Sequence, residues 1–254
     1  MPKQVVPEGQ RRRRRPTKSG TVLSEDLIVR TALRMLREHG SAGLTARRLG
    51  AALDCDPSTL YRYFRGMDAL VLAIGDALIG QALRGWAPTG EWRADLRALG
   101  LRIHAAYLAH PQAAQLTASR VTGRANELAA DEAVLGVLRT AGFPLPETVR
   151  VYHAFIDQTL AFAALDAASL ALPSNALRAD ESMWDSTYAQ LPATTHPHIA
   201  EAAPLLATRM VSSAYPTALD MLLDSASARL AMLQGAFKGP LAERQDGPVR
   251  TPGR

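Results

Sequence analysis

Along most of this chain apolar residues return at intervals of three and four, the spacing of amphipathic helices. Ile28, Thr31, Ala32, Met35 and Leu36 form the first stripe. Ser24 stands at its N-cap position, Glu25 and Asp26 lie in the first turn where the helix dipole favours anions, and Gly40 closes it. Thr45 caps a second, short helix with Leu49, Ala52 and Leu53 inward, and Asp56 caps a third with Pro57 at its first position. A fourth helix runs from about Met67 to Arg84 on Leu70, Ile74, Ala77 and Leu78.

Longer periodic runs follow. Trp92, Leu96, Leu99, Ile103, Ala106 and His110 make one stripe, which Pro111 should end. Leu128, Leu135, Val137 and Leu138 mark another helix, closed by Gly142. Residues 147–171 predict a long helix that is apolar nearly all round, so it must be covered on more than one side. Residues 173–197 hold three prolines and many polar residues and read as a long loop with room for a short helix near Trp184. Two last helices are expected at about 199–213 and 217–235. Residues 1–23 and those after Gly239 lack periodicity and read as disordered. No strand alternation or internal repeat is visible, so the expected class is all-α.

Residues 56–64, DPSTLYRYF, do not read like the other helices. With Leu60 at 0° on an α-helical wheel, Phe64 falls near 40° at about 100° per residue, and these two make the inner face. Ser58, Thr59, Arg62 and Tyr63 then point away, with Tyr61 on the flank. Hydroxyl, phenol and guanidinium are the donor set for phosphates and base edges. The preceding helix adds Arg47 and Arg48 near its start. Two short helices with a tight link, the second presenting such a face, make a helix-turn-helix. A surface helix with tyrosines lying along it accounts equally well for residues 56–64 alone.

Charge is placed unevenly. Residues 1–20 carry +6, residues 21–72 carry +1, and the whole chain carries +5, so residues 73–254 sum to −2. The positive charge is a tail containing Arg11 to Arg15, with Arg13 and Arg14 at its centre. A basic arm ahead of a folded unit suits a polyanion such as DNA, although a solubilising tail or an import signal has the same composition. The single cysteine, Cys55, excludes an intrachain disulfide and a cysteine-based zinc site, and suits a reducing compartment such as the cytoplasm. It reads as a small buried hydrophobe rather than a redox switch. No run of 18 apolar residues is present, so no membrane span is expected.

The stretch from Ile28 to Leu72 resembles the N-terminal domain of the tetracycline-repressor-like transcriptional regulators. The residues carrying the resemblance are REHG closing the first helix, then LTARRLGAALDCDPSTLYRYFRGMDAL. It implies that Arg47, Thr59, Tyr61, Arg62 and Tyr63 meet DNA, with Thr45 capping helix two and available to a phosphate. The family usually opens its fourth helix with a phosphate-binding lysine; here that position is Met67. Arg13 and Arg14 in the arm are expected to compensate by entering the minor groove.

Residues 73–238 resemble the C-terminal domain of the tetracycline-repressor subgroup, on EWRADLR, HP at 110–111, AGF at 141–143 and HPHI after the proline-rich loop. The resemblance implies a domain that dimerises and binds a small inducer. The expected organisation is a basic arm over 1–23, a helix-turn-helix domain over 24–72, an effector and dimerisation domain over 73–238, and a tail over 239–254. Polar or aromatic residues on otherwise apolar helices supply the ligand candidates: His104, Tyr107, Gln115, Tyr152, Phe155, Gln158 and Trp184. The positions at which the tetracycline repressor keeps a polar drug contact and a metal-binding histidine are Leu99 and Thr117 here. A metal–tetracycline complex is therefore not expected, and a hydrophobic or aromatic effector is. No cofactor is expected.

The reading is a ligand-responsive regulator, a repressor, that binds a palindromic operator as a homodimer. A non-specific architectural DNA-binding protein is one alternative. An all-α enzyme using His104 and Asp157 is another, without a spacing signature to support it.

Overall fold

The computed structural model describes residues 22–209 and 212–237, and every regular element among them is a helix. The order is α1 (Glu25–His39), α2 (Ala46–Ala52), α3 (Pro57–Leu60), α4 (Met67–Leu83), α5 (Trp92–Leu108), α6 (Pro111–Thr117), α7 (Ala125–Thr140), α8 (Leu145–Leu170), α9 (Ser174–Ser186), α10 (Pro197–Arg209) and α11 (Tyr215–Phe237), with single 3₁₀ turns at Ser41–Gly43 and Tyr188–Gln190.

The caps fall where the sequence places them. Ser24 Oγ accepts the Leu27 N–H, Thr45 Oγ1 accepts the Arg48 N–H, and Asp56 Oδ1 accepts the Ser58 N–H. Gly40 takes a positive φ of 66° after α1 and donates its N–H to Leu36 O at 2.9 Å. Helices α1 to α3 form a small head whose interior is Ile28, Ala32, Leu36, Leu49, Leu60 and Phe64. Its apolar cluster is continuous with that of the larger helical body through Leu70 and Ile74 of α4.

In the body, α8 packs against α5, α6, α7 and α11, and α4 lies against α5, α6 and α7. Gly100 permits the tight α5–α11 crossing, since a Cβ there would stand 2.5 Å from Tyr215 Oη. No single helix among the described residues is long and apolar enough to cross a membrane.

Three sequence expectations are corrected. Pro111 does not simply end a helix. Helix α5 stops at Leu108, the chain turns, and Pro111 opens α6, because a residue without an N–H costs nothing at a first helical position. The segment 173–197 is not chiefly loop: thirteen of its residues form α9. Helix α9 contains no fully buried residue, and its apolar side of Ala176, Leu177 and Trp184 is only half-buried. Leu128, expected inside, is exposed, and α7 turns Ala130, Val134, Val137 and Leu138 inward instead.

Candidate DNA-binding face and effector cavity

The head presents Thr45, Arg47, Arg48, Ser58, Tyr61 and Arg62 to solvent, with Thr59 half-buried between them. Tyr61 is 53% exposed, while Leu60 and Phe64 are each 4% exposed. The Tyr61 phenol and the Arg62 guanidinium thus stand side by side in solvent on a turn anchored by two buried side chains. Tyr63 is the exception to the expected face. Helix α3 ends at Leu60, and the next bonds are of the i→i−3 kind: Arg62 N–H to Thr59 O at 3.2 Å and Tyr63 N–H to Leu60 O at 2.9 Å. At three residues per turn Tyr63 eclipses Leu60, whereas at about 100° per residue it would lie about 60° to one side of it. It is half-buried, and its hydroxyl donates to Leu23 O at 3.0 Å, fixing the chain just ahead of α1. Arg13 and Arg14 lie outside the described residues.

Met67 is half-buried against the core, so the first position of α4 offers no cation. The next residue, Asp68, pairs instead with Arg120 at 2.9 Å. Arg124 pairs with Glu25 at the start of α1, at 3.0 Å. Residues 118–124 therefore reach the head twice. They also close on α7, where Glu127 accepts the Thr122 N–H and hydroxyl at 3.0 Å each and the Gly123 N–H at 2.6 Å. From α4, the buried Asp76 accepts the Asn126 N–H at 2.9 Å, the Glu127 N–H at 3.0 Å and the Asn126 side-chain amide at 2.7 Å. These are orphan donors of the first turn of α7, so a side chain of α4 caps its neighbour. A Cβ on Gly80 would meet the Asn126 side chain at 2.8 Å, which shows how closely the two helices approach.

Against the other side of residues 118–121 lies a cavity of about 520 Å³, lined by Ile79, Ile103, Ala130, Tyr152, Ile156 and Leu160 among others, with Arg120, Glu127, Asp131 and Asp157 at its polar margins. That volume falls in the range of small-molecule sites. Burial, together with a hydrogen bond to Asp131, pushes the Tyr152 phenol well above its ordinary value. Burial also raises the Asp131 carboxyl, against the lowering effect of that bond and with a smaller contribution from Glu127.

Of the seven expected ligand residues, Tyr152 alone lines this cavity. His104 is buried and committed elsewhere: its Nε2 lies 2.7 Å from Asp166 Oδ2, and its ring stacks on Tyr215 at 4.6 Å. Asp166 also accepts the Ser213 hydroxyl at 2.5 Å, so this set ties α5, α8 and the lead into α11. Tyr107 is core, and burial pushes its phenol up to about 12. Phe155 is core too. Gln158 donates to Ala218 O at 3.1 Å, Gln115 is exposed on α6, and Trp184 stacks on Tyr188 beside α9. Sequence reasoning missed Arg120, Glu127 and Asp131 as cavity residues, since each reads as an ordinary surface charge. Cys55 is half-buried, and burial first, then Asp56 and Asp54, raises its thiol, which disfavours the thiolate. Among the described residues no group of three His, Cys, Asp or Glu could hold a metal ion.

Residues 85–229 match the family model described as tetracyclin repressor-like, C-terminal domain, and residues 28–74 match that of bacterial regulatory proteins, tetR family. This chain belongs to the tetR family. Members of that family are transcriptional regulators, and the matched residues 28–74 include α2 and α3. The chain is 30% identical over 122 residues to an HTH-type transcriptional regulator of Saccharopolyspora erythraea, covering 48% of this chain and 52% of the relative. It is 30% identical over 131 residues to the tetracycline repressor protein class A from transposon 1721 of Escherichia coli, covering 51% and 60%. The chain thus spans about half to three-fifths of the length of these relatives. Apo ActR from Streptomyces coelicolor superposes with a TM-score of 0.72 at 20% identity, over 83% of this chain and 98% of that one, and shares the fold.

Proposed function

We propose that this tetR-family regulator is a repressor that binds a palindromic operator as a homodimer and is released by a hydrophobic or aromatic small molecule. The observation that carries the reading is the double role of residues 118–124. One side of this segment lines the cavity, and the other is paired through Arg120 and Arg124 to the first turns of α4 and α1. A molecule entering the cavity acts on the residues that hold the head. Release requires that it bind the non-DNA conformation more tightly, not merely that it bind.

Two further features support a dimer. One recognition element reads few bases, and two of them one DNA turn (about 34 Å) apart read a palindrome. The body leaves apolar surface uncovered: Leu165 of α8 is 63% exposed, Met221 of α11 is 67% exposed, and α9 has no buried residue at all. In the operator complex Arg47, Arg48, Thr59, Tyr61 and Arg62 meet the major groove, Thr45 and Ser58 meet phosphates, and the arm with Arg13 and Arg14 enters the adjacent minor groove. The head over 24–72 reads DNA, the body over 73–238 binds effector and dimerises, and the protein works in the cytoplasm. The enzyme alternative needs His104 and Asp157 together, whereas His104 is paired with Asp166 and Asp157 with the exposed His153 at 3.0 Å.

The test is a gel shift of a palindromic fragment taken from beside the protein's own gene, with excess random DNA as competitor. Retention against the competitor is expected, and Arg62→Ala should weaken it by about 1–3 kcal/mol with the fold intact. Equal affinity for random DNA would instead establish the architectural reading.

A further inference from the structure

The cavity is apolar over most of its wall, but its ionisable groups are unequal in sign. Glu127, Asp131 and Asp157 line it against a single guanidinium, Arg120, which is itself paired with Asp68. Asp157 has His153 beside it on the exposed side of α8. The other two carboxylates have neutral neighbours: Glu127 takes the Thr122 and Gly123 donors, and Asp131 shares the cavity wall with the Tyr152 phenol. A phenol or amide steadies a carboxylate without cancelling its charge. Burial also raises the pKa of Asp131, as expected of a partly desolvated carboxylate with no cation beside it.

Resting on the proposed role of this cavity, we infer that its effector is a cationic amphiphile: an apolar, ring-bearing body with an ammonium-like charge placed at Asp131 beside Tyr152. Such a cation gains from Asp131 and from the aromatic ring of Tyr152, whereas a carboxylate or sulfonate meets repulsion from Glu127 and Asp131. Residues 73–254 carry a net charge of only −2 within a chain of +5, so the Asp131→Asn comparison separates the cavity's own preference from that of the body's net charge.

Three probes of nearly one shape separate the contributions: tetraphenylphosphonium, tetraphenylborate and neutral triphenylphosphine oxide, each titrated calorimetrically into the full-length protein in 0.15 M salt. Ile156→Trp, which fills the cavity, serves as the blank, and only binding that it removes is compared. Tetraphenylphosphonium is expected to bind at least about tenfold more tightly than tetraphenylborate, the scale of one close, partly desolvated charge pair. Asp131→Asn should close that gap while leaving triphenylphosphine oxide within about twofold. Equal or tighter borate binding, or phosphonium binding indifferent to Asp131→Asn, overturns the charge inference and leaves the cavity standing. Probe binding untouched by Ile156→Trp, or no binding of any probe, overturns the effector role of the cavity itself.

Discussion

The head and the body of this molecule use polar groups in opposite ways. In the head, the functional side chains of α2 and α3 point into water, and two buried residues, Leu60 and Phe64, hold the turn that displays them. In the body, the polar groups that matter are enclosed: Asp76 and Asp95 are nearly inaccessible and saturated with donors from neighbouring backbone. Side chains in water keep their hydrogen-bonding capacity open, whereas a buried polar atom left unpaired costs roughly 1–3 kcal/mol, and among the described residues only His110 Nδ1 and Gln158 Oε1 are so left. The two regions therefore fail differently when disturbed.

The largest effect is expected from Phe64→Ala. Removing a fully buried aromatic costs about 3–5 kcal/mol, and here the loss falls on the small head. Operator binding in a gel shift should disappear while tetraphenylphosphonium binding in the body survives. Equal loss of both would show that head and body unfold as one unit, as their shared apolar cluster through α4 permits. Gly100→Ala disturbs the body alone. Its Cβ would lie 2.5 Å from Tyr215 Oη and 3.1 Å from Leu219, so α11 must move away from α5 at a cost of about 1–3 kcal/mol. Expected outcomes are a lower melting temperature and a weaker dimer by analytical ultracentrifugation.

The smallest and most conditional effect is at Glu147, at the start of α8. It pairs with Arg229 of α11 and with Arg150. The Arg229 hydrogen bonds hold its carboxyl below the ordinary value of 4.5, against the opposing effect of burial and with help from Arg150. A carboxyl lowered on folding stabilises the native state above its unfolded value, and that contribution is lost as pH falls through the folded value. Glu147→Gln should thus melt below the parent protein from pH 8 to about pH 5, and the difference should shrink under pH 4.5. A constant difference across that range would assign the effect to packing.

The elements of the head are legible in the sequence because their signals are local: Ser24, Thr45 and Asp56 as caps, Pro57 behind the last of them, Gly40 as a stop. Tyr63 escapes that reading, since a wheel of fixed angle cannot register the tightening after Leu60. In the body the long helices are legible and their partners are not. His104 stands out in the sequence as a polar residue on an apolar face, but its partner Asp166 lies 62 residues away. The cavity charges Arg120, Glu127 and Asp131 carry no pattern of their own, and only the convergence of α7 and α8 with the segment before α7 gives them a common purpose. Helix α9 is the converse case: Ala176, Leu177 and Trp184 do recur on one side of it, but the prolines at 173, 192 and 197 make the segment read as loop.

The bond between Asp76 and the first turn of α7 sets a limit on how α4 can move. Sliding along its axis would tear three hydrogen bonds from one enclosed carboxylate, so rotation about that point is the cheaper motion. Nine residues separate Asp76 from Met67, a lever arm of about 14 Å at 1.5 Å per residue. A tilt of about 10° would swing the far end by about 2.4 Å, so under the proposed function a push on α4 away from that point is enlarged where the helix meets the head.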